Sequence, residues 1–140
     1  MIRLLKPSDI DAVMNIWLSS NIQAHSFIPK EYWMKYFEQV KEILPDSTVY
    51  VYEDKGSVQG FIGLTGNYIE GIFVEESMRG RGIGTPLLHQ VKQLFSSLTL
   101  QVYEKNQSAL RFYFKEGFQI KKKQIDSETG QMEFTMEWSM

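Results

Sequence analysis

Residues 74–88 read Val74-Glu75-Glu76-Ser77-Met78-Arg79-Gly80-Arg81-Gly82-Ile83-Gly84-Thr85-Pro86-Leu87-Leu88. The apolar run Ile72-Phe73-Val74 leads into them as the end of a strand, the glycines read as a turn, and the spacing from Ile83 onward reads as a helix that starts at once. A helix start carries N–H groups without intrahelical acceptors and the positive end of the helix dipole. Arg79 and Arg81 add two charges beside it. This combination suits a phosphate-bearing ligand, and glycine lets a bulky diphosphate approach the main chain. Pro86 falls in the first helical turn, where its missing N–H breaks no bond.

Upstream of this stretch, residues 2–6 read as a short strand stopped by Pro7. Ser8 stands where an N-cap belongs, and Ile10, Val13, Met14, Trp17 and Leu18 share one face of a helix running to about Ser20. Residues 21–29 show no period and hold His25, Ser26 and Phe27 in a loop. Tyr32, Trp33, Tyr36, Phe37, Val40 and either Ile43 or Leu44 then mark the apolar side of a second helix, which Pro45 ends. Residues 48–53, 58–65 and 68–74 read as three strands joined by turns at residues 54–57 and at Gly66-Asn67. Gly71, inside the third of these, marks a bulge or a close ligand approach, so that strand is expected to splay from its neighbour.

Downstream, Ile83, Leu87, Leu88, Val91, Leu94 and Phe95 recur at helical spacing. Residues 98–103 alternate as a strand, Asn106 is an N-cap for a helix closed by Gly117, and residues 118–125 and 132–138 form two last strands about the turn at 126–130. The expected order is β-α-α-β-β-β-α-β-α-β-β, a mixed α/β sheet in one domain over residues 1–140. Composition narrows the function. A hydrophobic share of 43% is ordinary for a globular protein, and a net charge of -2 argues against a general nucleic-acid binder. With no cysteine and two histidines, neither a thiol nucleophile nor a metal site is expected. No apolar run reaches membrane-spanning length, so a cytoplasmic protein without membrane association, monomeric or homodimeric, is expected.

Arg79-Gly80-Arg81-Gly82-Ile83-Gly84 resembles the Arg/Gln-x-x-Gly-x-Gly/Ala signature of the GNAT acetyltransferase superfamily. Asn106-Gln107-Ser108-Ala109-Leu110-Arg111-Phe112-Tyr113-Phe114-Lys115-Glu116-Gly117-Phe118 is similar to that family's second landmark, and the element order agrees along essentially the whole chain. The run His25-Ser26-Phe27-Ile28 followed by Tyr32-Trp33 further resembles the small bacterial subgroup of YiaC and YjaB. Competing fingerprints fail: a P-loop needs a Gly-Lys-Ser/Thr ending, a dinucleotide turn needs glycine where Thr85 stands, and no Gly-x-Ser-x-Gly elbow occurs.

The resemblance implies an N-acetyltransferase that binds acetyl-CoA and passes its acetyl group directly to an amine of a protein or small molecule, in a ternary complex. It places the pyrophosphate on the N–H groups of Arg81, Gly82, Ile83, Gly84 and Thr85, with Arg79 and Arg81 supplying charge beside Gly80. The pantetheine arm pairs with Ile72, Phe73 and Val74, and Asn106 bonds its amide, although an N-cap role explains Asn106 as well. The resemblance makes Tyr113 the acid beside the departing sulfur. A phenol of pKa about 10 facing a thiol of about 8.5 makes complete proton transfer uphill by roughly 2 kcal/mol. The packed alternative sets Tyr113 between Leu110 and Phe114.

Lysine, with a pKa of about 10.4, is neutral roughly once in 2,500 molecules at pH 7, so a base is expected to help. Glu70, read as sharing a strand face with Tyr68 and Ile72, and His25, with its near-neutral intrinsic pKa, are the candidates beside water itself. His89 reads as a surface or core-edge residue, and Lys121-Lys122-Lys123 as a solvated edge strand, with contact to the cofactor's outer phosphate or to an acidic partner as the alternative. The rival reading of the chain is a non-catalytic acyl-CoA-binding module.

Overall fold

Alternation decides which side of the sheet each helix covers. In β2 (Thr48–Asp54), Val49 and Val51 point one way while Tyr50 and Tyr52 point the other, and in β3 (Ser57–Thr65) Phe61 and Ile62 divide in the same manner. The computed structural model describes residues 1–140, with β1 (Ile2–Leu4), α1 (Ile10–Ala24), α2 (Lys30–Ile43), β4 (Tyr68–Val74), α3 (Gly84–Lys92), β5 (Ser97–Tyr103), α4 (Gln107–Lys115), β6 (Gln119–Ile125) and β7 (Met132–Ser139) completing the elements. This is the expected order. One seven-stranded sheet runs β1-β2-β3-β4-β5-β7-β6, antiparallel except between β4 and β5. Val13, Met14 and Ile16 of α1 close on Val49, Val51 and Phe61. Leu87, Leu88 and Val91 of α3 and Leu110 and Tyr113 of α4 close on Ile62, Leu64, Ile69, Leu100 and Met136.

The splay expected near Gly71 is present, and a register change accompanies it. Gly63 pairs with Gly71 but Leu64 pairs with Ile69, so Glu70 is an extra residue bulged out of β4. The parallel ladder to β5 holds only Tyr68 opposite Thr99 and Ile69 opposite Leu100. Beyond Ile69 the two strands part, while β4 stays paired to β3 as far as Val74. The bulge also corrects the face assigned to Glu70. Ile69 and Ile72 both pack on the α3/α4 side, which a regular strand would forbid, whereas Gly71 and Phe73 turn to the α1/α2 side. Glu70 therefore does not share a face with Ile72.

Several local boundaries differ from expectation. Asp9, not Ser8, organises the entry to α1: its carboxylate accepts the Lys6 N–H at 2.7 Å and two bonds from the Arg3 guanidinium at 2.8 and 3.0 Å. A single 3-10 turn (Pro7–Asp9) precedes the helix. Helix α1 continues one turn past Ser20 and buries Ser20 and Asn21, whose short polar side chains bond backbone carbonyls of Val74 and Trp17 instead of breaking the helix. Leu44 is the buried member at the end of α2 and Ile43 is exposed. Helix α3 stops at Lys92, where the Leu94 N–H turns back to the Val91 carbonyl and leaves the Leu94 side chain half exposed. No helix is long and apolar enough to cross a membrane.

Candidate active site

Where β4 and β5 part, a cavity of about 470 Å³ opens between the end of α1, the glycine turn and the start of α4. Glycine is favoured in the turn by conformation: Gly80 and Gly82 both have φ of +77°, a region that side-chain-bearing residues rarely adopt. The main-chain N–H groups of residues 80–85 take no backbone acceptor. They lead into the N-terminus of α3, so six donors, with the helix dipole behind them, are free for an anion. Arg79 lines this cavity and its Nε bonds the Val74 carbonyl at 3.4 Å; Arg81 lies outside the lining.

Ile72, Phe73, Val74, Gly80, Gly82, Ile83, Gly84, Thr85, Asn106 and Tyr113 also line this space, and so does His25. Asn106 is a true N-cap, its Oδ1 accepting the Ala109 N–H at 3.3 Å. That bond fixes the amide, because it leaves Nδ2 to face His25 Nε2 at 3.3 Å. His25 is stacked on Trp33 with centroids 5.1 Å apart, and its Nδ1 is buried without a hydrogen-bond partner. Burial pulls the imidazole pKa down to about 4, an effect the Asn21 carbonyl only partly opposes. At neutral pH His25 is uncharged and can accept the Asn106 proton.

Tyr113 sits on the inner face of α4, 7% exposed, with its ring edge-on to Phe112 and Phe118. Leu110 shares this buried cluster, as expected, while Phe114 is half exposed and stands outside it. Burial raises its phenol well above the ordinary value, with the Tyr68 charge a lesser contributor. The hydroxyl is a permanent donor at neutral pH.

A second cavity, of about 330 Å³, lies on the α1/α2 side of β4. Trp17, Trp33, Tyr32 and Tyr36 form its aromatic wall, and Glu70 and Glu128 are its only ionisable carboxylates. Glu70 is exposed there and accepts a bond from Thr65 Oγ1 at 3.1 Å. Phe73 and Asn21 line both cavities, so they form the partition between them. The structure thus separates the two candidate bases, His25 on the glycine-turn side and Glu70 on the other. Sequence reading missed Asn21, because α1 was expected to stop before it, and Glu128, because nothing local marks a turn residue that meets α2. No grouping of side chains suited to a metal ion is present.

The splayed strand, the run of free N–H donors at a helix start and the buried phenol all border this one cavity. Residues 45–120 match the acetyltransferase (GNAT) domain family. The chain is 34% identical over 140 residues to the peptidyl-lysine N-acetyltransferase YiaC of Escherichia coli K12, covering 99% of this chain and 96% of that protein. It superposes on the solution structure of apo YjaB from Escherichia coli with a TM-score of 0.86 at 25% identity, over 99% of this chain and 96% of that one. The PaiA N-acetyltransferase of Thermoplasma acidophilum, solved with coenzyme A, shares the fold with a TM-score of 0.85 at 19% identity, over 100% and 98% of the two chains. The chain belongs to the GNAT acetyltransferase family, and is an N-acetyltransferase that takes its acetyl group from acetyl-CoA.

Proposed function

We propose that the acceptor is the side-chain amine of a lysine in a protein, admitted through the second cavity to meet acetyl-CoA held in the first. The observation that carries this reading is the shared partition: Phe73 and Asn21 border both spaces, so an amine on one side and a thioester on the other approach at the gap between β4 and β5. The named activity of YiaC, acetylation of peptidyl lysine, supports the same choice.

In this reading the diphosphate rests on the N–H groups of residues 81–85 with Arg79 and Arg81 near, the pantetheine arm runs along Ile72, Phe73 and Val74, and Asn106 bonds its amide. The neutral lysine nitrogen attacks the thioester carbonyl, a C–N bond forms, and the C–S bond breaks to release the thiolate of CoA, which takes up the second proton that the nitrogen sheds on becoming an amide. Tyr113 donates to that sulfur. Because burial raises its pKa further above that of a thiol, it acts by stabilising the thiolate through a hydrogen bond rather than by surrendering its proton completely. The proton lost by the ammonium passes to water, with Glu70 on the acceptor side as its local base. His25, neutral and bonded to Asn106, positions that amide.

The test is release of CoA thiol with acetyl-CoA and three acceptors: a lysine peptide acetylated at its N-terminus, a lysine-free peptide with a free α-amine, and a polyamine. The lysine peptide is expected to have the highest kcat/KM. Faster turnover of either of the others would overturn the lysine assignment.

A further inference from the structure

We infer that Glu128, carried on the turn between β6 and β7 and held over the second cavity by the hydroxyls of Tyr32 and Tyr36, selects acceptors that arrive as cations. This rests on the acceptor reading above and adds to it a specificity-determining residue far from the glycine turn.

The position of Glu128 is unusually well determined for a turn residue. Its Oε2 accepts from Tyr32 at 2.8 Å and its Oε1 from Tyr36 at 2.9 Å, across 96 and 92 residues of chain. Its backbone N–H donates to Asp126 Oδ1 at 2.9 Å, and Asp126 Oδ2 in turn accepts from Tyr103 at 2.6 Å. The turn is thereby pinned to aromatic residues at its start and at its middle. The charge of Glu128 is nevertheless unspent: its two partners are neutral phenols, and no lysine, arginine or histidine lies within ion-pair distance of it. Each carboxylate oxygen keeps a further lone pair for an incoming donor.

The surroundings have the same bias. Of the residues that line the second cavity, none is basic and two are carboxylates, in a chain that carries 15 lysines and arginines. The rings of Tyr32, Trp33 and Tyr36 stand edge to face, 4.9 and 5.2 Å apart, with Lys35 over the Tyr36 ring and His25 stacked on Trp33, so the wall offers apolar surface to an alkyl stem beside the two carboxylates. An ammonium on a chain of methylenes matches both features. A carboxylate already held in place loses little side-chain freedom when it binds one. Glu128 holds the protonated amine as it enters, and attack follows once that proton has gone to water.

The experiment compares wild type with Glu128→Gln on two peptides of the same sequence, one bearing lysine and the other an aminooxy side chain of the same length, which is uncharged at neutral pH. Glutamine keeps the shape and removes the charge: its Oε1 accepts from one phenol, and its Nε2 donates to the oxygen of the other, whose hydroxyl proton turns away. The variant is expected to lower kcat/KM for the lysine peptide by about tenfold, through KM, and to leave the aminooxy peptide and the KM for acetyl-CoA unchanged. The salt dependence of kcat/KM for the lysine peptide is expected to flatten as well. Equal losses on both peptides, or no loss on either, would overturn the role of Glu128 while leaving the acceptor site standing. Wild-type enzyme that turns over neither peptide would remove the acceptor reading itself.

Discussion

The carbonyl of Tyr113 accepts the N–H of Phe118 at 2.9 Å, and the two rings meet edge-on at 5.4 Å. With the Gly117 N–H donating to Phe114 and Gly117 at φ +94°, this is the closing motif of α4, in which the residue after the glycine packs back on the last full turn. The helix end therefore fixes the phenol. Tyr113→Phe keeps the ring contact and removes the donor, so it should leave the melting temperature and acetyl-CoA affinity close to wild type while lowering kcat about a hundredfold. Steady-state kinetics beside calorimetric CoA binding measure both; a drop in affinity that matches the drop in rate would mean that the hydroxyl serves binding instead.

Gly82 stands at φ +77° with nothing within 4 Å of where a Cβ would project. A side chain there meets open space, so the strain is conformational, about 1 kcal/mol for alanine. Gly82→Ala should shift stability only slightly. Gly82→Glu adds a carboxylate where the diphosphate is proposed to lie, and should weaken CoA binding at least about tenfold, which needs only ~1.4 kcal/mol. Unchanged affinity in titration calorimetry would displace the diphosphate from this turn.

His25 gives the protein an acid-sensitive contact. Its native pKa, about 4, lies below the unfolded value of 6.5, so the unfolded chain binds a proton in a range where the native one does not. Stability should be level above pH 6.5, fall as pH drops toward 4, and lose about 2 kcal/mol by pH 5 through this residue. His25→Gln keeps an acceptor near Asn106 and cannot titrate. Urea denaturation of both proteins at pH 7 and pH 5 should show the difference between them shrinking by that amount at the lower pH; parallel behaviour would mean that the imidazole protonates freely in the native state.

The parts of the site that were legible in the sequence are those whose physics is local. Gly80 and Gly82 show through their backbone demands, Asn106 through the orphan N–H groups it caps, and Gly117 through the helix end it closes. The bulge at Glu70 is set by pairing against Gly63 and Leu64, a register that alternation within β4 alone misplaces by one residue. The end of α1 was misplaced because Ser20 and Asn21 resemble helix-terminating residues until their carbonyl partners on Val74 and Trp17 are known. Glu128 is joined to Tyr32 and Tyr36 only by the fold.

Gly71 tests whether the partition between the cavities controls acceptor binding. A Cβ built there would lie 2.4 Å from Cζ and 2.5 Å from Cε2 of Phe73, so the ring occupies the space that a side chain would need. The backbone at Gly71 is not in the left-handed region, and alanine is tolerated by the strand itself. Gly71→Ala must therefore act by moving the ring. On one side Phe61 stands 4.9 Å from it, centroid to centroid, which leaves the cavities as the available directions. Because Gly71 and Phe73 face the α1/α2 side, the KM for a lysine peptide should rise several-fold, with a stability loss of about 1–3 kcal/mol from the displaced ring. Gly71→Ala combined with Phe73→Leu shortens the obstructing side chain. The two changes share one contact, so their effects on stability should be markedly non-additive, with the double variant less destabilised than the sum of the single ones. Additive losses in thermal denaturation would show that the alanine acts elsewhere and that Phe73 is not the wall.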